Sequence, residues 1–205
     1  MDEQLLSLSK TLKNRGFQVE VCESITEAAE IVHEIIGKDS PVSSIGFGNS
    51  ITVKSAGLQA SLSKLAKELY IHIPVGTEDM KEIDRKALTA DFYLTSANAV
   101  SLDGHLINID GNGNRTAATC FGPKQVIYLI GKNKIAKTLE DAMARAKSAA
   151  VLNAKRYNKK TPCVQTGKCE NCNSPECICS VMTIHRRKPN GVNMTIILIN
   201  EEAGF

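Results

Sequence analysis

The sequence predicts an α/β fold with a mainly parallel central sheet flanked by helices, and three observations carry that prediction. SSIGF, DFYLTS and QVIYLI are short, apolar and bounded by turn residues, as strands buried on both faces should be. Stretches with helical apolar spacing lie between such runs, and this alternation builds parallel sheets covered by helices. The chain has 205 residues without an internal repeat, enough to bury one core without disulfides.

Taken in order, residues 2–14 read as a helix with Leu5, Leu8 and Leu12 on one side, stopped by Gly16, and FQVEVC as a short strand. Thr26 is expected to cap a second helix whose apolar positions are Ala28, Ala29, Val32, Ile35 and Ile36, ending at Gly37. SSIGF is a strand running into the glycine turn GFGNS, Gln59 to Leu69 reads as helix, and YIHIPV as strand. Glu78 to Thr89 returns to helix, and DFYLTS, HLINI and QVIYLIG are strands, with Asp103–Gly104 closing a hairpin before HLINI. Lys137 to Arg156 is a long Ala-rich helix, and VMTIHRR and NMTIILIN form a closing pair of strands across the Pro189–Gly191 turn. One domain is expected over 1–205, with residues 1–40 as a helix-and-strand lead-in and 161–180 as a cysteine-rich knuckle.

Composition narrows the function. No apolar run approaches the roughly 20 residues that span a bilayer, and the opening MDEQLLSLSK has no signal-peptide character. These features point to the cytoplasm and away from a membrane partner, and in that compartment clustered cysteines favour metal binding over cross-links. Residues 131–160 carry nine Lys or Arg against Glu140 and Asp141, so the rest of a chain of net charge +3 sums to −4. A nucleic-acid surface there is disfavoured, because aromatic side chains for base stacking are not interleaved with the charges and Trp is absent.

Three motifs carry chemistry. GFGNS (Gly46, Gly48, Asn49, Ser50) leaves a strand and would let backbone N–H groups approach an anion, although a ligand-free tight turn is the alternative. Neither a dinucleotide nor a P-loop fingerprint is present, so no nucleotide cofactor is indicated. DGNGNR, with Asp110, Gly111, Asn114 and Arg115, leaves another strand; Arg115 would either pair with a carboxylate or phosphate or brace the loop. Lys134, in GKNKI after QVIYLI, would attract the same anion. Five cysteines fall in TPCVQTGKCENCNSPECICS, where a C-x-x-C step sets two sulfurs on one centre, zinc or iron–sulfur. The four histidines show no partner at metal or triad spacing, and Cys22 and Cys120 read as small buried side chains.

The run SANAVSLDGHLINIDGNGNRTAATCFGPKQVIYLIGKNKI, the EDAMARAKSAAVLNAKR that follows it, and TPCVQTGKCENCNSPECIC together resemble the stand-alone LUD domain family of lactate-utilisation-type, YkgG-like proteins. The resemblance covers roughly residues 40 to 205 and implies a fold akin to the NagB, ribose-phosphate isomerase and CoA-transferase group. It maps a site onto Gly46, Gly48, Asn49 and Ser50 with Asn98, Asp110, Gly111, Asn114 and Arg115. It also matches Cys163, Cys169, Cys172 and Cys179 as metal ligands, with Cys177 standing where the family usually has a basic residue. Two function classes follow. One is an enzyme or binding component of lactate-type carboxylate metabolism, holding an anionic small molecule beside a cysteine-ligated iron–sulfur or zinc centre. The other is a non-catalytic subunit that docks an iron–sulfur partner protein; association into a homo-oligomer stays open in both.

Overall fold

The computed structural model describes residues 2–38, 41–72 and 78–205. The helices are α1 (Glu3–Asn14), α2 (Ile25–Lys38), α3 (Ile51–Ser55), α4 (Leu58–Ser61), α5 (Glu78–Ala87), α6 (Asn114–Cys120), α7 (Leu139–Arg156) and α8 (Pro162–Thr166). The strands are β1 (Gln18–Cys22), β2 (Val42–Phe47), β3 (Ala66–Ile71), β4 (Phe92–Thr95), β5 (Ala99–Ser101), β6 (Leu106–Asp110), β7 (Gln125–Gly131), β8 (Ile135–Ala136), β9 (Val181–His185) and β10 (Asn193–Ile199). Six strands make a wholly parallel sheet in the order β1-β10-β7-β4-β2-β3, and four make a smaller mixed sheet in the order β8-β5-β6-β9. SSIGF, DFYLTS and QVIYLI all lie inside the large sheet, as expected.

Period-two alternation sorts each central strand between two cores. On β7, Val126, Tyr128 and Ile130 face a cluster that holds Leu5, Leu8 and Leu12 of α1, Leu106 of β6 and Ala118 of α6. Ile127 and Leu129 face the opposite cluster, with Ala28, Val32 and Ile36 of α2, Val53 of α3 and Leu58 of α4. A third cluster packs Ile107 and Ile109 of β6 against Ala142, Ala146 and Ala150 of α7. The Ala repeat of α7 is therefore a contact face, and its start is fixed by a capping box between Thr138 and Asp141. Near the start of the chain, β1 is an edge strand of the large sheet and α1 supplies core leucines.

The structure corrects several local readings. Ser24 rather than Thr26 caps α2, its Oγ accepting from Glu27 N at 3.2 Å, and the helix runs through Gly37 to Lys38. Gln59 to Leu69 is not one helix: α4 and a 3₁₀ turn (Leu62–Lys64) lead directly into β3. YIHIPV is strand only to Ile71, and Ile73–Val75 lie outside the described residues. The last two strands do not pair with each other, because β9 joins β6 in the small sheet while β10 enters the large one between β1 and β7. The Asp103–Gly104 turn does close a hairpin, between antiparallel β5 and β6.

Gly46 owes its identity to packing in the sheet. A Cβ there would lie 2.8 Å from Tyr93 Cδ2 and 3.0 Å from Ala87 Cβ. Gly46→Ala is expected to destabilise by about 1–3 kcal/mol, the usual cost of overpacking a filled core. Urea melts check this; an unchanged midpoint would mean that α5 can move aside.

Candidate functional site

The large sheet winds from β2 to β3 on one side and to β4 on the other, and clefts in open α/β sheets form at the carboxyl ends beside such a reversal. A cavity of about 720 Å³ lies there, within the range of small-molecule sites. Asn49 enters it from the GFGNS turn, and Asp110, Gly111, Asn114 and Arg115 from the loop after β6. Met80, Asp84 and Arg85 come from α5, and Arg156, Tyr157 and Lys159 from the end of α7. Asn49 of the first turn and the loop after β6 thus line one cavity.

Local chemistry explains the DGNGNR loop. Asp110 Oδ2 accepts from Arg115 N at 2.9 Å and Thr116 N at 3.1 Å, while Oδ1 accepts from Asn112 N at 3.2 Å. Its carboxylate thus satisfies the amides that open α6, and Gly113 supplies the φ of +83° needed just before that helix. Arg115 Nη2 donates to Asn98 Oδ1 at 3.1 Å and to the carbonyl of Ile109, so Arg115 lines the cleft and also braces it. Arg115→Ala is expected to cost about 1.5–3 kcal/mol of stability through these charged hydrogen bonds, read as a lower denaturation midpoint.

Not every expected site residue reaches the cleft. Gly46, Gly48, Ser50, Asn98 and Lys134 are absent from its lining. Gly48 passes under Thr95 and Tyr93, Ser50 caps α3 by accepting from Val53 N, and Asn98 Oδ1 holds Ile109 N at 2.8 Å.

Two features of the cleft escaped sequence reasoning. His72, the residue after β3, has Nδ1 2.8 Å from Asp84 Oδ1, and Asn114 Nδ2 donates to the same oxygen at 3.0 Å. The pair joins a strand end to a helix twelve residues on, so no short spacing reveals it. Second, Arg156 Nε and Asn49 Oδ1 are buried beside the cleft and have no hydrogen-bond partner among the described residues. Arg156 stacks on Tyr157, 4.5 Å from the ring centroid, and Asn49 Nδ2 donates to the Tyr157 hydroxyl at 2.9 Å. These contacts fix the Arg156 and Asn49 side chains in the wall of the cavity.

A second cavity, of about 130 Å³, adjoins the first and shares Ile109, Ala150 and Ile178 with it. Cys163, Cys169, Cys172, Cys177 and Cys179 all line it, and all are free thiols. Burial, then the neighbouring thiols of Cys177, Cys169 and Cys163, push Cys179 up to about 12. Such crowding suits a soft or borderline cation, whose charge would reverse the penalty on neighbouring thiolates. The donor set fits a metal, yet among the described residues no three His, Cys, Asp or Glu side chains stand converged on one point. Cys177, set aside in the sequence, shares the cavity with the other four.

Set beside known proteins, the chain matches the LUD domain family over residues 6–199. The chain belongs to the LUD domain family. A DUF162 family protein from Deinococcus radiodurans, known from its crystal structure, superposes with a TM-score of 0.56 over 97% of each chain at 13% identity. At that identity the likeness bears on fold alone, and it bears out the α/β architecture. No curated protein matches this LUD domain.

Lys134 holds the LUD domain together behind the cleft. Its Nζ, in a residue only 3% exposed, donates to Thr52 Oγ1 and Ser96 Oγ, each at 2.7 Å. Those hydroxyls in turn donate to the carbonyls of Ala203 and Leu129. Burial, then the charges of Arg145 and Arg115, pull this amine down to about 7. A lysine in the unfolded chain keeps its proton to about pH 10.4. Between those values the unfolded state holds the extra proton, so stability from this group rises with pH, and its burial penalty is full below about 7. Lys134→Met is expected to flatten that rise in urea melts run from pH 6.5 to 10; equal slopes in both proteins would contradict it.

The other expected small side chains separate. Cys22 is buried, whereas Cys120 is exposed. In the basic stretch, Lys134 is internal and Arg145 is tied to the carbonyls of Asn133 and Asn98. Among the described residues no helix is long and apolar enough to cross a membrane.

Proposed function

We propose that this LUD-domain protein serves carboxylate metabolism of the lactate type by binding an anionic small molecule in the cleft. The observation that carries this is the charge lining. Arg85, Arg115, Arg156, Lys81 and Lys159 face the cavity against two carboxylates, Asp84 and Asp110. Both carboxylates already accept hydrogen bonds, from Asn114 and from the backbone of the DGNGNR loop. The Arg156 guanidinium supplies donors for a carboxylate or phosphate oxygen, and the Asn49 side chain lies in the same wall.

The cysteine cavity forms the other half of the proposal. Cys163, Cys169, Cys172 and Cys179 would hold zinc or an iron–sulfur cluster, which supplies either a rigid clasp or a route for electrons. Ile178 lies between two of the cysteines and lines both cavities, and a Cβ on Gly111 would come within 3.3 Å of its Cα. Ordering the cysteine segment therefore completes one wall of the anion cleft. A second reading, a docking subunit for an iron–sulfur protein, is favoured by β9, where Val181, Met182 and Ile184 are exposed and Met182 borders the cysteines.

Amide chemical-shift mapping with lactate, pyruvate and inorganic phosphate tests the anion site. Saturable shifts confined to residues around 49, 110–115 and 156 are expected. Shifts confined instead to the β9 surface, or none with any of the three, would remove this reading.

A further inference from the structure

We propose that His72 is an acid–base catalyst in this cleft, moving a proton on the carbon beside the carbonyl of a 2-oxo carboxylate, with Asp84 as its positioning residue. The inference rests on the anion-site reading and adds a reaction to it.

The geometry of the pair comes first. His72 Nδ1 lies 2.8 Å from Asp84 Oδ1, and a carboxylate can only accept, so the proton of the neutral ring sits on Nδ1. Nε2 then carries the lone pair. It has no hydrogen-bond partner among the described residues, while the residue itself lines the cavity. Asn114 Nδ2 donates to the same Asp84 oxygen and lies 3.5 Å from Nδ1, which fixes the carboxylate from a third element. Both side chains are sheltered, at 12% and 15% exposure, yet both reach the cleft. A base held by a carboxylate, with its other nitrogen open to a site, is the arrangement general-base catalysis needs.

Position supports the role. Ile71, the end of β3, pairs in register with Phe47, so His72 stands beside Gly48 and Asn49 at the carboxyl edge of the sheet. Arg115 and Arg156 line the same cavity. The molecule also contains a contrasting pair: His105 Nδ1 lies 3.1 Å from Asp103 Oδ1 on the β5–β6 turn. That histidine is held by Ser101 as well and borders neither cavity, as a strut would. A strut joining β3 to α5 needs only one ring nitrogen; His72 leaves the other without a partner among the described residues, in a side chain that lines the cleft.

The step balances within the substrate. His72 Nε2 takes the proton as the C–H bond breaks, and the electron pair moves into the enolate, whose oxygen is steadied by a guanidinium of the cleft. The proton then returns from Nε2 to carbon. Nothing is oxidised or reduced.

Pyruvate in D₂O is the probe, and loss of its methyl proton signal is the readout. The wild-type protein is expected to exchange those protons on the order of 10²-fold faster than buffer, the lower end for a positioned base, and His72→Gln to fall to the buffer rate. The ¹⁵N spectrum of the intact protein should show neutral His72 protonated at Nδ1, and Asp84→Ala should move that proton to Nε2. If His72→Gln folds poorly, Asp84→Ala serves instead: with the proton moved to Nε2 it should exchange pyruvate protons at the buffer rate, and exchange at the wild-type rate would overturn the role. Pyruvate that binds in the cleft without exchange above the His72→Gln level would overturn this inference alone. A cleft that binds no pyruvate would overturn the anion-site reading and this inference together.

Discussion

Replacing Cys169 and Cys172 together with serine is expected to abolish the proposed metal binding and set the segment from 161 to 180 loose. The physical reason is the poverty of that segment. α8 buries none of its residues, and every position from 167 to 180 is exposed or only half-buried. With little apolar burial there, the proposed bonds from sulfur to metal would supply the order, and structural zinc contributes about 10–16 kcal/mol to the folding of small metal-bound peptides. Amide hydrogen exchange should therefore quicken across residues 168–180 while β7 and β10 keep full protection. Because Ile178 also lines the anion cleft, affinity for the probe anion should fall in the same variant. Among single serine variants under anaerobic purification, Cys163→Ser should lose more metal than Cys177→Ser; the reverse order would place Cys177 in the ligand set.

Arg156→Ala is expected to weaken binding of the anion by about 1.5–3 kcal/mol, the value of a charged hydrogen bond, or roughly 10- to 150-fold in Kd. Its guanidinium sits on the Tyr157 ring, with Nη2 held by the Tyr157 hydroxyl and the Asn49 carbonyl, so it is positioned in advance and needs little reordering to meet a carboxylate. Arg156→Lys keeps the charge but loses the planar fork and the stacking, and it should recover only part of the loss. Binding isotherms of the three proteins check this. Equal affinity in wild type and Arg156→Ala would move the anchor to Arg85 or Lys159.

What could be read from the chain depended on how local its cause was. SSIGF, DFYLTS and QVIYLI were legible because burial on both faces writes an unbroken apolar run. The β3 strand was legible only at its end, Tyr70–Ile71: the adjacent exposed Lys67 and Glu68 break any alternation in AKELYI, and an edge strand with charges in it looks like the tail of a helix. The Pro189–Gly191 turn was seen, but a turn carries no record of which sheet each flanking strand will join. Asp110 and its glycines announced a loop built to open a helix. The chemistry of that loop, and of the cleft, needed partners from elsewhere. His72 meets Asp84 only through the packing of α5 on β3, and Lys134 finds Thr52 and Ser96 across 82 and 38 residues. The cysteines were legible as a group because they are close in sequence; that Ile178 ties their cavity to the cleft was not.

A crystal structure of the protein grown with the carboxylate that binds most tightly tests the central claim most directly. Carboxylate density is expected between the Arg156 guanidinium and the Asn49 side-chain amide, with Ile178 against its far side. Carboxylate density resolved elsewhere on the protein, with only water between Arg156 and Asn49, would contradict it.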